Sequence, residues 1–373
     1  MLWHTMHLYQ GIKNMKSLGV MISVLLTGIM IFASCHNSEV SHIRNINVDL
    51  SSATDVDVDS GSIVCLETND SSLLYSLGDV VVDTDRLFVY SRGKIKCFDK
   101  NGRYMFTLSR RGSGPGEFSS PSNLWIDNGI VKVFDNGLQK ILCFDRDGHF
   151  IDYSNVNVES EQYYARPNRL FPSSDGNGFY SFNTYMGISG IVSLFSRIPS
   201  TLDSQIPVEG RISQDGGSLN DGISIDNANH RALYWEGFRD TIFSVCDTVI
   251  TPMLAVDFGE HSIPQDIQAD NDLLNRIERT REAADSSYTY PRYVQASGKA
   301  VYFYCSLGSA GYIVRIDERN NEAAVYRLNI PGGHYTPASF MKIAGDTVLV
   351  GLNDAQDMEQ NPAVAYIPLA KFQ

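Results

Sequence analysis

Residues 87–102 read LFVYSRGKIKCFDKNG, and residues 131–148 read VKVFDNGLQKILCFDRDG. Each stretch holds two short runs of β-branched and aromatic residues, and the second run ends in Phe-Asp and closes on a glycine. The pairs Phe98-Asp99 and Phe144-Asp145 are 46 positions apart. A period in the forties with about four strands per unit predicts a β-propeller, because one four-stranded sheet cannot bury both of its faces without neighbours.

The second copy also gives the strand order of one unit. We expect Asn123–Asp127 as the innermost strand, Gly129–Phe134 as the second, Gln139–Phe144 as the third and His149–Ser154 as the outermost. Fainter copies of the second and third strands follow along the chain. They are Gly178–Phe182 with Ile191–Phe195, Ala232–Trp235 with Thr241–Val245, Ala300–Tyr304 with Tyr312–Ile316, and Thr347–Gly351 with Val364–Ile367.

These copies predict an all-β fold, a six-bladed β-propeller of four-stranded antiparallel blades. The sixth blade lacks chain for its outermost strand, and Ile43–Leu50 is expected to supply it and so tie the two ends of the ring together. One helical insertion is expected between blades 4 and 5, where Pro264 to Ala284 carry Leu273 and Ile277 at helical spacing.

The N-terminal region has the pattern of a secretory signal. An apolar run from Leu18 to Ala33 follows Lys16 and is too short and too polar for a spanning helix. The run ends in Phe32-Ala33-Ser34-Cys35, which is similar to a bacterial lipobox, so we expect lipidation at Cys35. The alternative is an ordinary signal peptide with an incidental cysteine.

Three segments are therefore expected. Residues 1–34 are a signal segment, with the translation start at Met15 and cleavage before Cys35. Residues 35–62 hold an N-terminal strand and the Asp- and Ser-rich Ser51–Ser62 as a flexible connection. Residues 63–373 form the propeller.

Charge and cysteine usage narrow the partners. Removal of residues 1–34 takes away Lys13 and Lys16 and no acid, so the formal charge of −13 becomes −15. An acidic domain disfavours nucleic acid and leaves lipidated Cys35 as the expected membrane contact. The remaining cysteines have no CxxC spacing, so we expect small buried hydrophobes rather than a zinc site or disulfides; they are Cys65, Cys97, Cys143, Cys246 and Cys305.

In a propeller, the loops that return from each outermost strand to the next innermost strand converge around one mouth of the central channel. Binding groups concentrate on loops of a rigid scaffold, so this face is the expected site. The loops are rich in aromatic and ionic residues. The candidate binding residues are Arg110, Arg111, Glu117, Tyr164, Arg166, Arg211, Tyr293, His334 and Tyr335.

The first of these loops, Arg110–Phe118, reads RRGSGPGEF and has two interpretations. Arg110, Arg111 and Glu117 would form a charged rim that orients a ligand. Alternatively, Glu117 accepts backbone N–H groups of its own glycine-rich loop, whose donors need partners. The loop lacks the Lys-Ser/Thr and the helix of a phosphate-binding loop.

Gly112-Ser113-Gly114-Pro115-Gly116-Glu117-Phe118 resembles the G-x-G-P-G-E-[FY] motif of six-bladed, TolB-like or NHL-like β-propeller lipoproteins of Gram-negative envelopes. Cys65-Leu66-Glu67-Thr68 is also similar to the start of that family, and the similarity covers residues 63–150. The resemblance implies the propeller fold and a lipid anchor in the outer membrane of the bacterial cell envelope, facing the periplasm or the cell surface. It implies no catalytic residue.

Catalytic motifs are missing from the sequence, since there is no HExxH and Gly187-Ile188-Ser189-Gly190 falls short of a nucleophile elbow. We therefore expect a non-enzymatic binding or scaffold module for a protein or glycan ligand, without a cofactor. The alternative is a metal-dependent, lactonase-like hydrolase or lyase with Ca²⁺ or another divalent ion in the channel. Asn123, Asn168 and Asp226 would then supply ligand oxygens.

Overall fold

The structure is a computed structural model, and it describes residues 43–75, 77, 79–108, 111–158, 166–187, 190–213, 222–270, 273–283, 288–333, 335–354 and 359–373. Three short strands come first in this part of the chain. They are β1 (Arg44–Asn47), β2 (Thr54–Asp57) and β3 (Ile63–Cys65).

Six four-stranded antiparallel blades follow and confirm the predicted six-bladed propeller. Blades one and two are β4 (Val80–Asp83), β5 (Arg86–Ser91), β6 (Lys94–Asp99), β7 (Tyr104–Leu108), and β8 (Pro121–Asp127), β9 (Ile130–Asp135), β10 (Lys140–Phe144), β11 (Phe150–Asn155). Blades three and four are β12 (Arg169–Pro172), β13 (Gly178–Gly187), β14 (Gly190–Pro199), β15 (Ile206–Ser213), and β16 (Gly222–Asp226), β17 (Arg231–Trp235), β18 (Thr241–Cys246), β19 (Val249–Asp257).

Blade five is β20 (Arg292–Ser297), β21 (Ala300–Leu307), β22 (Ala310–Asp317) and β23 (Ala323–Asn329). Blade six is β24 (Tyr335–Ala344), β25 (Thr347–Asp354) and β26 (Ala363–Pro368), with β3 as its outermost strand. Every predicted pair of second and third strands is an antiparallel pair in the structure. The core lies between the blades, where a hydrophobic cluster fills each interface around the ring.

The Phe-Asp repeat is the hairpin between the third and fourth strands of a blade. Asp145 Oδ1 accepts the backbone N–H of Asp147 at 2.9 Å and that of His149 at 2.8 Å. Gly148 has a φ of 86°, which favours glycine at that position. Asp99 makes the equivalent pair of hydrogen bonds in blade one. The hydrogen bonds of this turn motif are therefore local, although Gly148 also packs closely against Phe106 and Leu108 of blade one.

The expected donor of the sixth blade's outermost strand was wrong. β3 pairs antiparallel with β26 and completes blade six, whereas β1, from the expected segment Ile43–Leu50, pairs in parallel with β19 of blade four. The physical reason is connectivity. With β3 in blade six, the chain that leads into β4 makes the same return to the centre as the connection between any other two blades.

The acidic stretch Ser51–Ser62 is ordered, contrary to the expected flexible connection. β2 adds a fifth, parallel strand to β23 of blade five. Val56 and Val58 are buried. Asp55 faces outward and forms a two-pronged ion pair with Arg327 at 2.7 and 2.9 Å. Alternating Asp and Val therefore acts as strand patterning with one buried face.

The predicted insertion between blades four and five is present as two short helices, α1 (Gln265–Gln268) and α2 (Leu273–Ala283). Pro264 precedes α1, as predicted, and Ala284 lies outside the described residues. None of the helices in the described part of the chain is long and apolar enough to span a membrane.

The five cysteines of the described ranges are free thiols. Cys97 and Cys305 are buried, as expected, and Cys143 and Cys246 are half-buried. Cys65 departs from the expectation because β3 is the outer edge of its blade, and its side chain is exposed.

Candidate functional site

The innermost strands of all six blades surround a central channel with a volume of about 850 Å³. Each of these strands follows a connection from an outer strand, so all six run in the same direction. Their first residues therefore meet at one end of the channel, the end toward which the returning loops converge. A pocket of this size is in the range that holds small ligands.

The channel lining is positively charged in an acidic protein. The charged side chains among its described residues are Asp79, Arg169, Arg292 and Lys342, which is three cations and one carboxylate. Their formal sum is +2, against −13 for the whole chain. The lining therefore offers an environment suited to an anion.

Asp79 and Arg169 form an ion pair with 2.7 Å between Oδ1 and Nη2. Asp79 directly precedes β4 of blade one and Arg169 begins β12 of blade three, so the pair reaches past the innermost strand of blade two. The guanidinium also lies 4.9 Å from the ring centre of Phe171. Its Nε is buried and has no hydrogen-bond partner in the described part of the chain. Arg169 thus keeps an unused donor.

Lys342 lies between Met341 and Ile343 in β24, and its side chain lines the channel. Among the described residues its ammonium group has no hydrogen-bond acceptor and no carboxylate within ion-pair distance. Burial lowers the pKa of Lys342 below its ordinary value, and the negative charge of Asp79 acts in the opposite direction. Lys342 is therefore a cation that the surrounding protein leaves largely uncompensated.

Arg292, the first residue of β20, is the third cation. It donates a hydrogen bond to Ser306 Oγ, and its guanidinium lies 5.6 Å from the ring of Tyr290 and 5.2 Å from the ring of Tyr304. Tyr293 follows it with a φ of 54°, an uncommon conformation that places this ring in the lining. Stacking thus fixes the guanidinium of Arg292 beside the channel.

Aromatic rings and unpaired polar atoms complete the lining. Ser224 Oγ and Trp235 Nε1 are buried and have no partner in the part of the chain that the structure describes. Buried polar groups usually find a partner, so atoms of this kind often mark a place for water or ligand. The aromatic residues of the lining are Tyr90, Trp125, Phe171, Trp235, Tyr293 and Phe340.

Two of the three oxygen donors proposed for a channel metal, Asn123 and Asp226, have partners within the fold. Asn123 is buried and joins blades two and three, accepting the backbone N–H of Leu170 at 3.0 Å and donating to its carbonyl. Asp226 is paired with Arg231 at 2.9 Å. Within the described ranges, no three His, Cys, Asp or Glu side chains come together as a metal site would require. The cationic donor set of the lining does not suit a divalent ion.

Two predicted residues of the Arg110–Phe118 loop are described. Arg111 is exposed and forms a backbone bridge with Phe118. Glu117 points into its own loop, where Oε2 accepts the N–H of Gly114 at 2.9 Å. Glu117 therefore has the arrangement of the structural interpretation.

The other predicted residues are dispersed. Tyr293 lines the channel, Arg166 is exposed, and Arg211 belongs to strand β15 rather than to a converging loop. Tyr335 lies outside the lining, and its hydroxyl is 3.6 Å from Cys65 Sγ. Arg110, Tyr164, His334 and the lipidation candidate Cys35 lie outside the described residues.

Sequence reasoning missed Asp79, Arg169 and Lys342. A usable signal was present, because Arg169 directly precedes Leu170 and Phe171 in β12 and Lys342 lies between Met341 and Ile343 in β24. For a charged side chain in an innermost strand, the nearest water is in the channel. Such a side chain is therefore expected to line the channel.

Solved structures of similar fold are distant in sequence. A Bacteroides fragilis protein described as exported matches with a TM-score of 0.55 and 15% identity, over 87% of this chain and 99% of its own. A Bacteroides vulgatus member of the DUF4221 family matches with a TM-score of 0.51 and 10% identity, over 82% and 95%. The PQQ-bound aldose sugar dehydrogenase of Streptomyces coelicolor has a TM-score of 0.44 and 15% identity, over 81% and 96%. The two Bacteroides likenesses show the fold alone.

No curated protein matches the chain in sequence. One family model matches residues 43–363, which span the N-terminal strands and almost the whole propeller. The chain therefore belongs to the family described as domain of unknown function DUF4934.

Proposed function

We propose that the protein is a non-enzymatic binding module that takes a saccharide into the end of its central channel. The observation that carries the proposal is the channel itself, about 850 Å³ in volume and lined by all six innermost strands. Its lining combines aromatic rings with polar atoms that lack partners in the described part of the chain. Flat apolar rings beside a few convergent polar groups are what a sugar ring needs, since a sugar has apolar C–H faces and a rim of hydroxyl groups.

A folded protein partner fits this site less well. The channel volume is that of a small-ligand pocket, whereas a stable protein interface buries about 800 Å² on each partner. The exposed loop face beside the channel would be the surface for such a partner. The experiment below therefore treats binding outside the channel as the contrary outcome.

Binding of labelled full-length protein to an array of neutral and acidic oligosaccharides tests the proposal. Val81→Trp in blade one and Ile225→Trp in blade four each add bulk to the lining from opposite sides of the ring. Each is expected to weaken saccharide binding about tenfold or more, because the ligand and the added ring compete for one space. Tyr153→Trp, on the exposed outer strand of blade two, is the matched control and should bind as the unmodified protein does.

Thermal unfolding of the two channel variants checks that they fold. Because the two substitutions lie in different blades, a local disruption at one site would not account for the same loss of binding in both. If both fold and both bind the same saccharides with unchanged affinity, the ligand does not occupy the channel and the proposal is wrong. The proposal is also wrong if the unmodified protein binds no saccharide.

We also propose that the module is held at the bacterial cell envelope by a lipid on Cys35, facing the periplasm or the cell surface. The signal-like run Leu18–Ala33, the lipobox-like Phe32-Ala33-Ser34-Cys35 and the motif in residues 112–118 support this proposal. Cys35→Ala is expected to move the protein from the membrane fraction to the soluble fraction. Unchanged partitioning would exclude lipidation at this position.

A further inference from the structure

The cations of the channel are poorly compensated by the protein itself. Taking a charge out of water is costly unless a partner replaces the lost hydration. Arg169 and Arg292 have partial partners in Asp79 and Ser306, whereas Lys342 has neither a hydrogen-bond acceptor nor an ion pair among the described residues. The lining residues that the structure describes retain a formal charge of +2. An anionic ligand group would supply the missing partner.

The donors that remain are suited to an oxyanion. An ammonium group offers three N–H donors, and a guanidinium offers five in a planar fork that matches carboxylate and sulfate oxygens. In Arg169, the pair with Asp79 uses Nη2 and leaves the buried Nε without a partner in the described chain. Lys342 and Arg169 are linked through one carboxylate, since Asp79 contacts Arg169 and acts electrostatically on Lys342.

Asp79 is the one carboxylate among the described lining residues, and it offsets a single one of the three positive charges. Asp79 pairs with Arg169 and acts electrostatically on Lys342, which allows a binding role to be distinguished from a purely structural role. An incoming anion is attracted by the two cations and repelled by Asp79. Removal of the Asp79 charge should therefore strengthen anion binding, even though it removes an ion pair.

We propose that the channel is specific for an acidic saccharide, whose carboxylate or sulfate group binds Lys342 together with Arg169. This inference rests on the proposed saccharide site and names the class of sugar that the site takes. Carboxylate and sulfate share the recognition chemistry of a planar or compact oxyanion, and the probes below separate them.

The test uses glucose, glucuronate and glucose 6-sulfate, which share one pyranose ring and differ only at the exocyclic carbon C6. Trp125 and Trp235 both line the channel, so tryptophan fluorescence of the full chain reports binding directly. The unmodified protein is expected to bind at least one of the two anions about tenfold or more tightly than glucose. Lys342→Met should lower the affinity for that anion by about tenfold or more and leave glucose unchanged.

Three further variants complete the test. Asp79→Asn should raise the affinity for the anion about threefold to tenfold, the opposite sign from Lys342→Met. Lys100→Met makes the same chemical change at an exposed turn outside the channel and should leave both affinities unchanged. Arg169→Gln provides a second loss of positive charge if Lys342→Met fails to fold.

The possible results distinguish failure of this inference from failure of the proposed saccharide-binding function. If glucose and the anions bind equally, or if Lys342→Met and Arg169→Gln keep the preference for the anion, the acidic-saccharide inference is wrong while the channel remains a saccharide site. If the tryptophan-filled channel variants bind every saccharide as the unmodified protein does, the proposed site itself is wrong. A gain of anion affinity in Asp79→Asn with a loss in Lys342→Met supports the inference.

Discussion

Glu117 and Gly114 are joined by a hydrogen bond of 2.9 Å from the backbone N–H of Gly114 to Oε2 of Glu117. The same carboxylate lies against Gly112, where an added Cβ would be 2.0 Å from Oε2. The glycines and the glutamate of the G-x-G-P-G-E motif therefore form one packed unit, in which the glycine makes room for the carboxylate and the carboxylate satisfies the loop's backbone.

Gly112→Ala is accordingly expected to destabilise the protein. The methyl group would displace the Glu117 carboxylate and leave the N–H of Gly114 without its acceptor, at a cost of about 1–3 kcal/mol. Thermal unfolding should show a lower melting temperature. Gly61→Ala is the matched control, because its added Cβ would be 3.3 Å from the movable carboxylate of Asp59 and should change little. Equal melting temperatures for the two variants would contradict the packed unit.

Asn361 closes the ring between blades six and one. Its Oδ1 accepts the N–H of Leu74 at 2.6 Å, and its Nδ2 donates to the carbonyls of Glu67 at 2.7 Å and Ser72 at 3.0 Å. Asn361→Ala should lower the free energy of unfolding by about 2–4 kcal/mol, because a buried side chain loses three hydrogen bonds and leaves polar groups unpaired.

Chemical denaturation measures the loss in Asn361→Ala. Asn101→Ala serves as its control, since Asn101 is exposed and its side chain lies in a hairpin turn at the rim. If the two variants unfold at the same denaturant concentration, the three hydrogen bonds of the Asn361 side chain contribute nothing to ring closure.

The fold was predictable where its determinants are local. The Asp145 turn is built within five residues, so it leaves a readable repeat in the sequence. The course of the N-terminal strands was not predictable in the same way. The alternation of apolar and polar residues around Ile46 and around Val56 indicates that each strand buries one face. It does not indicate which blade each strand pairs with.

The candidate site was predictable only in part. Tyr293, expected on the loop face, lies in strand β20 and lines the channel, because the end of the helical insertion leads straight into this innermost strand. The Asp79–Arg169 pair joins residues 90 positions apart in different blades, and no local pattern encodes that contact. Lys342 carries a signal, a charge between Met341 and Ile343, but the strand's position in the blade must be known before this signal indicates the channel.

Cys65 should be the most reactive of the thiols that the structure describes. It is exposed on β3, whereas Cys97 and Cys305 are buried and burial raises the pKa of each to about 12. Thiolate is the reactive form, so labelling of the native protein by a thiol reagent should be at least about tenfold faster at Cys65. Peptide mass spectrometry identifies the labelled site. Cys65→Ser should remove the fast phase, and fast labelling of Cys97 or Cys305 would contradict the burial.

Asp317 should give the fold an acid-sensitive element at the outer hairpin of blade five. Hydrogen bonds from the side chain and backbone of Arg319, at 2.9 and 3.0 Å, hold the pKa of Asp317 well below its usual range. A carboxyl group whose pKa is depressed by folding stabilises the native state above its unfolded pKa of about 3.9, and the contribution is lost as the pH falls through the folded value.

Asp317→Asn therefore should lower the melting temperature by a constant amount near neutral pH, and the difference should shrink below about pH 4. Melting temperatures of both proteins across this range measure the effect. A difference that does not depend on pH would show that the ionised carboxylate is unimportant for the hairpin.

Lys342 should reduce the stability of the protein in its ligand-free state. Burial lowers the pKa of Lys342 in the folded chain, with Asp79 acting in the opposite direction. A lysine whose pKa is lower in the folded state than its unfolded value of about 10.4 disfavours folding at every pH below the folded pKa. The penalty disappears as the pH rises through the unfolded value.

Lys342→Met keeps an unbranched stem and removes the charge, so its melting temperature should exceed that of the unmodified protein at pH 7. The gain should diminish toward about pH 10.4, while the exposed control Lys100→Met should show no gain at any pH. A lower melting temperature for Lys342→Met at pH 7, or a gain that persists unchanged at high pH, would contradict the uncompensated charge. A channel cation that lowers stability is consistent with selection for ligand binding, because functional sites often keep residues that destabilise the fold.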